Sequence, residues 1–199
     1  MSEGGLYATI LRLSCASPLA TSAAMLTHRL ATADDLEALR ELMAAAIATN
    51  QAAFLSPAQV AASAAVMGLD TQLIADGTYF VVTDGGDLAG CGGWSFRAGL
   101  YGGDHSAHLR NAARLDPAVD PARVRAMYTH PGFVRRGVGR LILTLCEAAA
   151  RDAGFASVTL MATLAGEPLY RAAGYIAVQH VVDRVGEVDV PLIRMTKPL

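Results

Sequence analysis

Chemistry is densest at residues 135–140, where Arg135-Arg136-Gly137-Val138-Gly139-Arg140 sets three guanidinium groups around two glycines. This turn joins an extended run, Val124 to Thr129, to an amphipathic helical one. The first backbone N–H groups of a helix have no partner inside it, and the aligned peptide dipoles leave partial positive charge there. An anion fits such a place. Gly137 and Gly139 carry no Cβ, so a phosphate can approach the main chain closely, with Arg135, Arg136 and Arg140 as cationic donors around it. The residues do not name the anion. A P-loop would need Gly-x-x-x-x-Gly-Lys-Ser/Thr, which is absent, and a dinucleotide turn would need a third glycine where Ile142 stands. The competing account is a tight strand-to-helix turn with no ligand.

Other reactive side chains are scattered. Tyr170 lies in Pro168-Leu169-Tyr170-Arg171-Ala172-Ala173-Gly174-Tyr175, a short helical stretch closed by glycine. Glu167, Asp104, His105 and His130 are candidate bases by type alone, since no Glu stands at the inward positions of the strand Ser157 to Met161. Cys91 has no base paired with it by motif and reads as a small core residue. The three cysteines, Cys15, Cys91 and Cys146, show no CxxC spacing, so neither a disulfide framework nor a metal site is expected. A reducing cytoplasm is the expected compartment. A net charge of −2 gives no basic excess for nucleic acid. The apolar run Leu141 to Cys146 stops at Glu147, far short of the roughly 20 residues of a membrane span.

The elements that must position these groups follow from periodicity and punctuation. Leu26 to Leu30 forms a first strand, and Thr32-Ala33-Asp34-Asp35 caps a helix with the stripe Leu36, Leu39, Met43, Ala46 and Ile47. A second helix runs from about Ser56 through Val66, with Pro57 in its first turn. Thr78 to Val82 and Leu88 to Phe96 make a hairpin around Asp84-Gly85-Gly86-Asp87, and Gly90, Gly92 and Gly93 suggest a bulge or close backbone approach in its second strand. Arg97 to Pro121 is a long loop holding a short helix. The helix after the glycine turn is expected to bury Val138, Leu141, Ile142, Leu145 and Ala149, to pair Glu147 with Arg151, and to end at Gly154. A strand, a short helix and two final strands complete a mixed α/β sheet with helices on its faces. Residues 25–199 form one domain, and residues 1–24 are expected to be a poorly ordered extension.

The run Val124 to Phe155, together with Tyr170 to Tyr175, resembles the core of the GNAT acetyltransferases. In that family a strand ending in an apolar-x-His/Asp-Pro segment leads into Gln/Arg-x-x-Gly-x-Gly/Ala and a helix. Here the segment is Tyr128-Thr129-His130-Pro131-Gly132-Phe133-Val134-Arg135-Arg136-Gly137-Val138-Gly139. Val134 stands where the family carries Gln or Arg, and Thr163 where an asparagine often bonds the cofactor arm. The resemblance implies a mostly antiparallel sheet of six to seven strands flanked by about four helices, with acetyl-CoA as acetyl donor and no metal. It implies that Met127, Tyr128 and Thr129 hold the pantetheine arm through main-chain groups, and that Arg135, Arg136, Gly137, Val138, Gly139 and Arg140 cradle the pyrophosphate. Tyr170 takes the place of the general acid. The acceptor is an amine of a small molecule or protein, attacked directly; the residues from Ser56 to Asp70, Trp94 to Tyr101 and the loop through His105 are expected around it, with Trp94, Arg97 and Asp104 as selecting groups. The resemblance also suggests a homodimer. The alternative is an acyl-CoA-binding sensor of the same fold without chemistry.

Overall fold

In the second strand Val81 and Val82 point to opposite faces, and each is fully buried. Both faces of the sheet must therefore be covered. A computed structural model describes Met1, residues 25–109 and residues 111–199; residues 2–24 of the expected extension, Cys15 among them, lie outside the described residues. The strands are β1 (Leu26–Leu30), β2 (Tyr79–Asp84), β3 (Asp87–Ser95), β4 (Ala122–Thr129), β5 (Ser157–Thr163), β6 (Ile176–Val185) and β7 (Val188–Pro198). The helices are α1 (Leu36–Asn50), α2 (Pro57–Val66), α3 (Thr71–Ala75), α4 (Val138–Asp152) and α5 (Glu167–Ala172). The sheet order is β1-β2-β3-β4-β5-β7-β6, antiparallel except where β4 meets β5.

Two layers of helix cover the sheet. On one face Leu39, Met43 and Ile47 of α1 and Leu73 of α3 pack on Tyr79, Val81 and Cys91. On the other, Val138, Ile142 and Cys146 of α4 pack with Val82, Val124, Val158 and Met195. Burying each large aliphatic side chain contributes about 1.5 to 3 kcal/mol, so these stripes hold the helices in place. The expected stripe of α4 is rotated: Val138, Ile142, Leu143, Cys146 and Ala150 are the buried positions, while Leu141, Leu145 and Ala149 are half-buried. Glu147 does not pair with Arg151 but with Lys197 of β7 at 2.6 Å, because the helix turns that edge toward the sheet.

Helix α2 has Pro57 in its first turn, as the sequence predicts, and begins with a capping box between Ser56 and Gln59. The short helix α3 was not foreseen; Asp70 caps it by accepting from the Gln72 N–H at 3.1 Å. The glycines of β3 permit close packing. A Cβ at Gly90 would overlap the Val138 side chain, and one at Gly92 would lie 2.7 Å from both Ile142 Cγ2 and Met127 Cγ. Without Cβ atoms there, α4 settles directly on the strand.

Candidate functional site

Strands β4 and β5 pair only at Ala122↔Val158 and Arg123↔Thr159, and then separate. The cause lies on the other edge of β4. Its register against β3 shifts between Cys91 and Gly93, and Ala126 takes the left-handed conformation (φ 50°) that a non-glycine residue rarely adopts. This bulge bends the strand. Tyr79, 1% exposed, fixes it by donating its hydroxyl to the Ala126 carbonyl at 2.7 Å. From Val124 onward the β4 edge facing β5 therefore has no ladder, and a cleft of about 780 Å³ opens there.

The cleft runs from β4 to the start of α4. Met127, Tyr128, Thr129, Arg135, Gly137, Val138, Gly139, Arg140 and Tyr170 all line it. The glycine turn is shaped for backbone donors. Gly137 sits before the helix with φ 88°, Arg135 has φ 65°, and no side chain caps α4. Leu141 N–H is the first amide to reach back into the turn, bonding the Gly137 carbonyl at 2.9 Å, so the amides of Val138, Gly139 and Arg140 precede the helical ladder. A left-handed Arg135 costs about 1 to 2 kcal/mol, and strain of this kind gathers at ligand-binding turns. Gly139 serves packing: a Cβ there would lie 2.9 Å from Leu169 of α5.

Arg136 is placed elsewhere. Its guanidinium pairs with Asp84 at the end of β2 at 3.1 Å and lies over the ring of Phe133, a lining residue, but Arg136 does not itself line the cleft. The sequence grouped three arginines because they are neighbours, but the turn points only Arg135 and Arg140 along the cleft.

Along β4 the side chains alternate across the sheet, so Tyr128 is buried beneath α1 and Met127 packs toward α4. Their contribution to the cleft edge is main chain. Asn50, at the end of α1, donates to the Thr129 carbonyl at 2.9 Å and ties that helix to the strand. Tyr170 enters from α5, is 8% exposed, and points its hydroxyl at the Met127 sulfur, 3.9 Å away. Its ring meets Tyr175 edge to face at 5.8 Å. Burial raises the phenol above its ordinary range, so Tyr170 holds its proton throughout the neutral range.

The candidate bases do not converge. Glu167 pairs with Arg171 at 2.7 Å, Asp104 accepts from the Thr71 N–H and hydroxyl at 3.0 Å, and His130 Nδ1 accepts from the Gly132 N–H at 3.1 Å. None of these, nor His105, lines the cleft. Trp94 is core, packed against Phe96 and Phe155, and Arg97 pairs with Asp76 at 2.7 Å. With Asp104 these were the expected selecting groups, and all three are spent on structure. The cleft is also lined by Gln51, Phe54, Met67, Leu100, Tyr101 and Leu192, of which Met67, Leu100 and Tyr101 lie in the segments expected around the acceptor. Asn50 and Gln51 carried no sequence signal, because a polar residue closing an amphipathic helix is ordinary. Among the described residues, no cluster of His, Cys, Asp or Glu could hold a metal. Cys91 is buried beneath α1, its thiol pushed up to about 12 by that burial, which leaves it protonated and unreactive.

Residues 75–177 match the family model described as "Acetyltransferase (GNAT) domain". Among solved structures, the GCN5-related N-acetyltransferase from Rhodopseudomonas palustris superposes with a TM-score of 0.64 at 19% identity, covering 89% of this chain and 97% of that one. The yncA protein of Salmonella typhimurium, solved with its cofactor acetyl-CoA, gives 0.59 at 16% identity, with 87% and 94% covered. The PaiA N-acetyltransferase of Thermoplasma acidophilum, in complex with coenzyme A, gives 0.56 at 13% identity, with 88% and 99% covered. At these identities the likeness is one of fold. No curated protein matches the sequence significantly. No helix among the described residues is long and apolar enough to cross a membrane.

Proposed function

Because this chain belongs to the GNAT acetyltransferases, we propose that it moves an acetyl group from acetyl-CoA to a primary amine of a small molecule or protein. The observation that carries this reading is the parting of β4 from β5 above an uncapped, glycine-led helix start. A pantetheine arm holds amides that add to a free strand edge as a peptide does. The edge from Met127 to Thr129 takes the arm. The amides of Val138, Gly139 and Arg140 take the pyrophosphate at the positive end of α4, with Arg135 and Arg140 as cations.

On this placement the thioester lies near Met127 and the Tyr170 hydroxyl. A neutral amine attacks the carbonyl carbon, the new C–N bond forms, and the C–S bond then breaks. Tyr170 donates its proton to the leaving sulfur. A thiolate with a pKa near 8.5 is a weaker base than the phenolate left behind, so Tyr170 reclaims a proton promptly from the nitrogen, which has become positive. The products are the acetamide and free coenzyme A, and the enzyme ends as it began.

The second reading, a sensor that binds acyl-CoA without turnover, draws on one observation: no Asp, Glu or His is among the described residues lining the cleft. Titration with acetyl-CoA, with ATP and NAD as controls, followed by thiol release over an amine panel, separates the two. Binding with release supports the transferase. Binding without release from any amine supports the sensor, and no binding removes both.

A further inference from the structure

Several polar groups lining the cleft are committed to protein partners. Asn50 donates to the Thr129 carbonyl, the Thr163 hydroxyl accepts from the Gly166 N–H at 3.1 Å, and Arg125 pairs with Asp70 at 2.9 Å. Burial, and after it the nearby carboxylate of Asp183, raises the Tyr101 phenol above its ordinary range. Gln51 is different. It closes α1, lines the cleft and is 4% exposed, yet its amide has only a contact from Nε2 to the Met67 sulfur at 3.4 Å. Its carbonyl oxygen Oε1 is buried with no hydrogen-bond partner. A buried amide oxygen left unpaired costs about 1 to 3 kcal/mol, which an occupant carrying an N–H would recover.

The chemistry around Gln51 constrains that occupant. Met67 touches the Gln51 amide, and Phe54, Leu100, Val124 and Leu192 add to the apolar lining of the cleft. An amide oxygen accepts one N–H but supplies no countercharge, and an ammonium stripped of water beside apolar groups loses several kcal/mol unless an anion meets it. A lysine-type amine, with pKa ≈ 10.4, is neutral about once in 10³ molecules at pH 7, whereas an α-amine, at ≈ 7.7 to 8.0, is neutral in roughly one of ten. Building on the transferase reading above, we infer that Gln51 is the acceptor-selecting residue: its Oε1 receives an N–H of a weakly basic primary amine carried on an apolar, uncharged body. The amine enters neutral, and the cleft needs no base to start the attack.

The test compares phenylalaninamide and 4-methylaniline with Nα-acetyllysinamide at pH 7.5, reading kcat/KM by thiol release. The weakly basic pair should exceed the lysine amide by about tenfold or more in the wild-type protein. Gln51→Met, close in volume, should lower kcat/KM for phenylalaninamide by about tenfold, the equivalent of one net hydrogen bond, with acetyl-CoA affinity unchanged. Gln51→Glu supplies the missing countercharge and should move the ratio toward the lysine amide by tenfold or more. A wild-type preference for the lysine amide overturns the inference whether or not the variants fold, as does a ratio that neither variant moves. Acetyl-CoA binding without thiol release from any amine overturns the transferase reading itself and this inference with it.

Discussion

The Tyr170 hydroxyl stands 3.9 Å from the Met127 sulfur, so a side chain from α5 reaches the bulged part of β4 across the gap where the central strands part. Met127 is also one of the residues opposite Gly92, where a Cβ would lie 2.7 Å from its Cγ. The bulge, the missing Cβ and the phenol thus converge on one point of the cleft.

Tyr170→Phe removes the hydroxyl and leaves the buried ring. If the proton for the leaving sulfur comes from that hydroxyl, turnover should fall by roughly 10² or more. Acetyl-CoA affinity and melting temperature should hardly change, because the ring keeps its packing against Tyr175. Thiol-release kinetics beside a calorimetric titration read both quantities, and equal turnover in the variant would return Tyr170 to a packing role.

The glycine turn makes a prediction that distinguishes its arginines. Arg135→Glu with Arg140→Glu should weaken acetyl-CoA binding by a factor of ten or more, taking the low end of charge-assisted bonds for exposed side chains. Arg136→Glu should cost less affinity. Its guanidinium pairs with Asp84, so the variant would set two carboxylates together and lower stability instead. Titrations at two salt concentrations check the assignment, since the loss from Arg135 and Arg140 should shrink as salt rises.

What the sequence disclosed follows the range of the physics. Gly137 and Gly139, the strand before them and the apolar stripe after them are local signals, and the turn stands where they placed it. The stripe of α4 was off by a rotation because Leu141 and Leu145 are as apolar as Leu143, and only contact with β3 decides which is buried. The pairing of Arg136 with Asp84 was illegible for a similar reason: the two are distant in sequence, and no local pattern joins them. Tyr79, which holds the bulge at Ala126, reads in the sequence as an ordinary strand residue. Gln51 was silent for the same reason, its meaning arising only where α1 ends over the cleft.

Gly90 tests the close approach of α4. In Gly90→Ala the new methyl would meet the Val138 side chain and lie 2.9 Å from the Tyr128 carbonyl, so α4 or β4 must shift. Overpacking of this kind costs about 1 to 3 kcal/mol, or roughly 2 to 12 °C of melting temperature for a chain of this length. Acetyl-CoA affinity should fall as well, because Val138 begins the helix that faces the pyrophosphate. Calorimetric melting and the same titration report both, and a variant as stable as the wild type would mean the helix can slide without cost.

Alkaline stability follows from burial on both sides of the sheet. The phenols of Tyr79, Tyr128, Tyr170 and Tyr175 and the thiols of Cys91 and Cys146 are all raised, with desolvation as the leading cause. In the unfolded chain they titrate near 10 and 8.5, so above those values the unfolded state binds fewer protons than the folded one, and stability falls as pH rises. The stabilising difference is fully present below pH 8. The urea midpoint should therefore be level from pH 7 to 8 with respect to these groups and decline beyond about pH 9. Removing the two thiols in Cys91→Ala/Cys146→Ala should move the onset upward, toward the tyrosine range, even though each substitution lowers the midpoint at neutral pH. Urea titrations at half-unit steps from pH 7 to 10.5 would show it, and an onset that stays in place would assign the alkaline loss to the tyrosines alone.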